Sequence, residues 1–439
     1  MIEKPSFWLS QMDFSINPSL EGEENCDFAI LGGGFTGIAT SYFLKKLEPS
    51  SKVVVVEQNY VGYGASGRNA GFCMTLFGLN LSLTVLRYGK KNALEAYKYT
   101  SEGIDIVKNL VEEHKIDCDF EYNGFIRVAT SRLYERRLKK EFELAVNLGI
   151  EDAKWLTKEE LEQKVISPVM RCGWYERHCA LLNPAKLVRG MKEVVEKMGV
   201  KIYENNPSIE VERRNDGKFV IKSGKGRVIA DKIVFATNAF SISIPHLKNK
   251  QTPVFTHIVL TEPLREEHFQ KINWRGREGL EDSRNLIHYF RLTKDNRLLM
   301  GGRDVTITFS TNMQKDMNQK TFEGLKRDIK YIFPQLSDLK IAHMWGGPVS
   351  VTLDLVPAIG YVGDKNAIYS LGCIGHGVSL SHINGLTIAE LLLERKSHRT
   401  EMFFINRFII PFPPEPLRFV ISHIIKGAMK IQDAIYDRI

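Results

Sequence analysis

No CxxC pair occurs in the chain: its six cysteines, Cys26, Cys73, Cys118, Cys172, Cys179 and Cys373, stand far apart. That spacing encodes neither a zinc site nor a dithiol motif, so no metal is expected and buried free thiols are. No apolar run approaches the ~18 residues that a spanning helix needs. The run at Val53 to Val56 is short, and the apolar stretches near the C-terminus are broken by Arg, Lys and His. Met1 to Ser10 carries Glu3 and Pro5 where a secretory leader has a basic start, an apolar centre and a small-residue cleavage site. A cytoplasmic location is the expectation. There is no GxSxG elbow and no cysteine nucleophile signature, which is consistent with chemistry that needs no side-chain nucleophile. A basic stripe interleaved with aromatics is missing too. The densest basic run, Arg136 to Lys140, is flanked by Glu135, Glu141 and Glu143 and reads as a solvated helix face. Nucleic acid is therefore not an expected partner, although the net charge of +8 favours anionic small molecules.

What is present is the composition of an ordinary globular protein. With 43% hydrophobic and 26% charged residues, neither a disordered nor a collagen-like chain fits. The 439 residues allow about three structural units, or two when one interrupts the other. Near the N-terminus an apolar run, Cys26 to Leu31, leads into Gly32-Gly33-Gly34-Phe35-Thr36-Gly37 and then a helical pattern through Ile38, Ala39, Tyr42, Phe43 and Leu47. A β-branched run, Lys52 to Val56, follows and ends on Glu57 and Gln58, with Glu57 lying 20 residues beyond Gly37. This is a dinucleotide-binding fingerprint: Gly32 for the tight turn, Gly34 for close approach of a pyrophosphate, Gly37 for helix–strand packing, Glu57 for a ribose diol. FAD and a nicotinamide dinucleotide both suit it. The next segment, Val61 to Gly71, combines small residues (Gly64, Ala65, Ala70, Gly71) with the donors Ser66, Arg68 and Asn69, which suits a second pass along a pyrophosphate or flavin edge.

At this point the sequence resembles the FAD-dependent amine and amino-acid oxidoreductases that include D-amino acid oxidase, glycine oxidase and sarcosine oxidase. Gly64 to Phe72 (GASGRNAGF) most resembles the γ-glutamylputrescine oxidoreductase branch. The likeness continues through Leu182 to Leu187, Val228 to Ala239, Trp345 to Gly360 and Gly372 to Gly377. It implies a doubly wound α/β FAD-binding domain, glutathione-reductase-like and Rossmann in type, assembled from 22–85, 171–246 and 340–396. An α+β substrate domain with a mainly antiparallel sheet, 86–170 and 247–339, interrupts it, and a helical tail covers 397–439. The resemblance further implies FAD contacts at Ser208, Ala236, Thr237, Asn238, Gly346, Gly372, Gly375, His376, Gly377 and Val378. His376 reads equally as a turn residue and as a flavin or substrate contact. The position of the flavin-linking cysteine in sarcosine oxidase falls on Gly347, so the FAD is expected to be non-covalent.

The departures from the family bear on substrate. Positions that hold a substrate carboxylate in glycine and sarcosine oxidases fall here on Val349, Gly375 and Ser379, all neutral. A buried carboxylate without a cation is costly. An amine, possessing or lacking a remote acidic group, is therefore the expected substrate, oxidised at its C–N bond. An α-amino acid held by Arg291 or Arg303 is the alternative, and a non-catalytic FAD-binding protein is another. Residues expected to line the amine pocket are His257, Tyr289, Arg291, Trp345 and His376, against a structural reading in which Tyr289 and Trp345 fill the core and Arg291 pairs at the surface. Alternation along Leu286 to Leu292 puts Tyr289 and Arg291 on one face and His288, Phe290 and Leu292 on the other. The family's oxygen-activating lysine falls on Leu299, which counts against an oxidase; oxygen and a quinone or other carrier both stand as acceptors. In the tail, a stripe of Leu417, Ile421, Ile424, Ala428, Ile431 and Ile435 must be covered. The protein's own surface or a second subunit would do so, and the alternative is peripheral contact with a membrane, helped by Arg418, Lys426 and Lys430.

Overall fold

The computed structural model describes residues 2–437. Gly22–Leu31, Val53–Val56 and Gly226–Phe235 lie side by side as parallel strands, and their apolar stretches, Phe28 to Leu31, Val53 to Val56 and Ile233 to Phe235, are buried on both faces. Lys201–Tyr203 extends this sheet in parallel beside Val53–Val56, and Asp364–Leu371 does so beside Gly226–Phe235. Ala358–Val362 closes the latter edge antiparallel, and the Glu210–Arg213 and Phe219–Ser223 pair folds against Gly226–Phe235. Alternate residues divide the core. Phe28, Ile30, Val53 and Val55 point to a helical layer, while Ala29, Leu31, Val54 and Val56 point to the other side.

In the helical layer, Phe35–Leu47 lies against Gly377–Leu392, and a Cβ on Gly385 would stand 2.6 Å from the Ala39 Cβ. Helix Leu81–Glu113, interrupted at Gly89 with φ +80°, covers them, with the Tyr99 hydroxyl bonded to Asn384 and Thr387.

A second sheet stands over the first. Its strand order is Thr306–Ile307, Thr252–Pro263, Arg297–Gly302, His288–Leu292, Gly279–Asp282, Phe125–Ala129, Cys172–Glu176 and Ala153–Leu156, with Ile341–Val351 also paired to Thr252–Pro263. Only the pairing of Gly279–Asp282 with Phe125–Ala129 is parallel. The outer face, with Phe290, Leu292 and Met300, is sealed by helix Gln319–Ile332 through Phe322, Leu325 and Ile329. The inner face looks toward the first sheet.

Three expectations change. Cys172–Glu176 and Ile341–Val351, placed by the sequence in cofactor segments, are strands of the second sheet, because their partners are there. Helix Leu81–Glu113, placed largely in the substrate segment, belongs to the core of the first layer. The tail helix, Leu417–Tyr436, docks by its polar side: Asp433 accepts from Tyr134 and from the amides of Asn285 and Leu286, and Lys426 and Lys430 reach Asp304. Its apolar stripe therefore faces outward, with Ile424 64% and Ile431 65% exposed. The stripe is not covered by the protein's own surface, because the ground beneath the helix is polar. Arg438 and Ile439 lie outside the described residues. No described helix is long and apolar enough to cross a membrane.

Candidate active site

Register brings Leu31, Val56 and Phe235 to one level, so three parallel strands end together and a crevice opens at their carboxyl edge. The first turn admits only glycine at two points. Gly32 has φ +103° and a Cβ there would stand 2.7 Å from the Ala236 carbonyl; on Gly37 it would stand 2.0 Å from that of Gly32. Over Gly34 the nearest atom to a Cβ is Ser66 Oγ at 3.0 Å, so the backbone lies open to a ligand. The Phe35 amide donates to the same Oγ at 2.8 Å. Glu57 accepts from the amides of Gly33 at 2.6 Å and Asn59 at 2.8 Å, and burial raises its pKa against the pull of those bonds. The crevice measures about 690 Å³. Gly34, Phe35, Thr36, Ala65, Ser66 and Asn69 line it, with Ala236, Asn238, Gly375 and Gly377. So do Pro348, Val349, Ser370, Leu371, Cys373, Ser381 and Asn384, which the motifs alone did not single out as cofactor contacts.

The Ser66 to Gly71 loop is clamped from above. Ser6 donates to the Gly67 carbonyl at 2.6 Å, the Trp8 indole to that of Asn69 at 2.8 Å, and the Trp345 indole to that of Arg68 at 2.8 Å. Arg291, fully buried, spreads one guanidinium nitrogen over the carbonyls of Ala70, Gly71 and Leu182 at 3.2, 3.3 and 2.7 Å. Gly71 fits beneath it because its φ is +78° and a Cβ would stand 1.9 Å from the Leu182 carbonyl. Trp345 and Arg291 therefore hold the loop, the indole N–H and one guanidinium nitrogen being committed to backbone carbonyls, while Arg291 Nε donates to the Leu292 carbonyl on its own strand. Arg68 also turns away, donating to the Tyr63 carbonyl, stacking on the Tyr63 ring and pairing with Asp316.

Above the crevice, strand register lines up a transverse row: Trp345, Ile258, Gly301, Tyr289, Glu281, Arg127 and Trp174 are successive partners across six strand boundaries. Gly301 leaves room for Tyr289, since a Cβ there would stand 2.3 Å from the phenol ring. Tyr289 meets Phe72 edge-on, its hydroxyl kept protonated by burial. Arg127 stacks on Trp174 at 4.6 Å and lies 3.6 Å from Glu176, whose other oxygen takes the Thr75 hydroxyl. Burial pushes the Glu281 carboxyl up to about 7; Arg127 opposes this, while Asp282 and Glu176 add to it. His257 falls on the opposite face, its ring against Phe322 and its Nε2 3.3 Å from the Lys315 carbonyl, because parity on its strand puts Ile258 inward. It is not a pocket residue. Glu281, Arg127, Trp174 and Glu176 were missed; the signal for them is pairing between distant strands.

A family model described as FAD dependent oxidoreductase matches residues 27–391. The chain belongs to this FAD-dependent oxidoreductase family. It is 30% identical over 385 residues to a probable oxidoreductase, OrdL, of Haemophilus influenzae, covering 86% of this chain and 85% of that one. It is 28% identical over 390 residues to the gamma-glutamylputrescine oxidoreductase of Escherichia coli, covering 88% of each. In fold it is similar to glycine oxidase from Geobacillus kaustophilus, with a TM-score of 0.75 at 19% identity over 88% of this chain and 100% of that one.

The crevice fits FAD. The open backbone at Gly34 and the amides beginning helix Phe35–Leu47 suit the pyrophosphate, and Glu57 suits the ribose. The start of helix Gly377–Leu392 suits the flavin end. There His376 is partly exposed, but its Nδ1 is buried without a partner; burial, then the charge of Arg127, pushes it down to about 4, so the ring is neutral. Besides Arg68, five expected FAD contacts lie elsewhere or point away. Gln58 and Ser208 are exposed on loops beyond Glu57. The Thr237 hydroxyl bonds Ser241, Gly346 faces the Asp316 carbonyl, and Val378 is buried in the helical core. Gly372, with φ +74°, shapes the turn between the lining residues Leu371 and Cys373. Ser379 donates to the Met74 carbonyl, and Leu299 is buried in the clamp's apolar cluster.

Proposed function

We propose that the protein oxidises the C–N bond of an amine, with FAD held non-covalently. The single observation that carries this is the charge of the roof: Glu281 has no donor among the described residues, whereas the neighbouring cation, Arg127, is already committed to Glu176. Arg291 is spent on backbone carbonyls, and Arg303 pairs with Asp328. The roof thus suits a cation better than a carboxylate. When bound, FAD supplies the two-electron oxidation by taking hydride from the carbon next to nitrogen, and the imine hydrolyses to an aldehyde and the smaller amine. The chain's share would be to orient the amine with Tyr289, exclude water with Phe72, and fix the Ser66 to Gly71 loop that would hold the cofactor through Arg291 and Trp345. Cys373 lines the crevice, but burial raises its thiol pKa, which keeps it protonated and disfavours a flavin link.

An α-amino acid held through Arg127 is the second reading, favoured by one atom: its Nε is buried without an acceptor. Anaerobic flavin bleaching by a panel of amines, glycine, sarcosine and D-alanine separates the two. Extended amines should bleach fastest; faster bleaching by glycine than by every amine would sink the proposal. Flavin left in an acid-denatured pellet would refute non-covalent binding. Oxygen and a quinone remain the candidate acceptors, with Leu299 at the lysine position favouring the latter.

A further inference from the structure

The roof carries polar atoms that no group among the described residues matches. Glu281 is 7% exposed, and no described donor bonds its carboxylate. Beyond Arg127 lies a cavity of about 410 Å³, lined by Thr75, Leu76, Phe77, Trp174 and Glu176 among others. Two donors at that end, Arg127 Nε and Trp174 Nε1, are buried without acceptors. Buried polar groups are nearly always bonded, so two orphan donors in one row with a carboxylate that no described donor meets point to a ligand that bonds them.

The charges complete the picture. Arg127 and Tyr289 flank Glu281, Glu176 holds Arg127 from the next strand, and Tyr97 reaches the same cavity from helix Leu81–Glu113. His376, a neutral ring, feels the charge of Arg127, and Asp282 turns to the far side to bond His288. Arg127 pairs with Glu176 and acts on Glu281 only through its charge. We infer that the row is a two-ended amine site, in which Glu281 receives the ammonium of the reacting end and takes its proton, while Arg127 Nε and Trp174 Nε1 hold an acyl or carboxyl oxygen at the far end. This rests on the amine reading. In the proton step one N–H bond of the ammonium breaks and one O–H bond forms on Glu281, with no change of oxidation state. The amine left behind is neutral and has the lone pair that its oxidation needs. The substrate class is thus an aliphatic amine with an oxygen acceptor several bonds away.

The test uses the FAD-loaded enzyme with butylamine, which lacks a far-end acceptor, and N-acetylputrescine, which has one. Anaerobic flavin reduction is followed from pH 5.5 to 9, and binding of the unreactive butyltrimethylammonium by calorimetry. In the wild type the rate should rise with pH through about 7, where Glu281 loses its proton. Glu281→Gln should lose that limb and weaken both cations about tenfold or more, as expected for a lost charge-assisted bond. Glu281→Asp should keep the limb at a lower rate. Trp174→Phe should weaken N-acetylputrescine several-fold and leave butylamine unchanged. Wild-type pH dependence and binding in Glu281→Gln would overturn the assignment of Glu281, and equal weakening of both probes by Trp174→Phe would overturn the far end. Failure of every amine to bleach the wild-type flavin would instead remove the amine reading, and this inference with it.

Discussion

The crevice and the roof above it are built from opposite materials. Between Gly32 and Gly37 almost everything offered to a ligand is backbone, whereas from Tyr289 to Trp174 everything offered is side chain. Backbone groups are placed by a turn and cannot be exchanged without moving the turn. Side chains on a sheet can be exchanged one at a time while the pairing stays. The crevice should therefore fail abruptly and the roof by degrees. The largest effect is expected at Gly37→Ala: a Cβ 2.0 Å from the Gly32 carbonyl forces strand and helix apart, and the purified protein should be colourless, read from the ratio of flavin to protein absorbance. Gly34→Ala presses only on Ser66 Oγ and should retain part of the flavin. Full flavin in Gly37→Ala would mean the crevice is as forgiving as the roof.

Next comes the seam between the two regions. Arg291→Met removes the guanidinium from the carbonyls of Ala70, Gly71 and Leu182, of which Gly71 keeps the Leu182 amide, and this should cost about 3 kcal/mol in urea unfolding and weaken FAD retention. If Arg291 were a pocket residue, the same change would alter amine binding and leave stability intact.

The contrast explains what was legible. The glycine turn, Glu57 and the following loop are one continuous stretch with fixed spacing, so their joint meaning is written locally. Alternation on one strand also put Tyr289 and Arg291 together. It could not tell that Arg291 would be consumed by carbonyls 220 residues away, nor that a short N-terminal helix would bring Trp8 to the same loop. His257 was misplaced because the parity of Thr252–Pro263 depends on which face of a sheet meets the helix Gln319–Ile332. Glu281 and Arg127 are ordinary residues in ordinary strands until register sets them side by side.

The two faces of the second sheet should also differ in pH response. Inside, the Glu281 pKa is raised from its ordinary 4.5 to about 7. Its contribution to stability is complete below 4.5 and lost as pH rises through about 7, so Glu281→Gln should melt higher than wild type at pH 8.5 but not at pH 4. Outside, burial opposes the charge on His288, yet Asp282 and Asp328 hold its ring pKa up at about 9. That contribution is complete below 6.5 and lost as pH rises through about 9, so His288→Asn should cost most stability at pH 6 and least near pH 10. A constant difference in melting temperature across that range would remove His288 as a charged link.

The smallest effect is expected on the tail. Leu417, Ile424 and Ile431 look like core positions by their spacing, and truncating a core Ile to Ala costs about 2–5 kcal/mol. Here the helix is held by Asp433, Lys426 and Lys430, and Ile424 and Ile431 touch little. Ile424→Ser with Ile431→Ser should therefore change unfolding free energy by no more than ~0.5 kcal/mol and leave flavin content as in the wild type. Asp433→Asn, which weakens acceptance from Tyr134, Asn285 and Leu286, should cost more than both serines together. The reverse order, in urea titrations of the dilute protein, would show that the stripe and not the polar face fastens the helix.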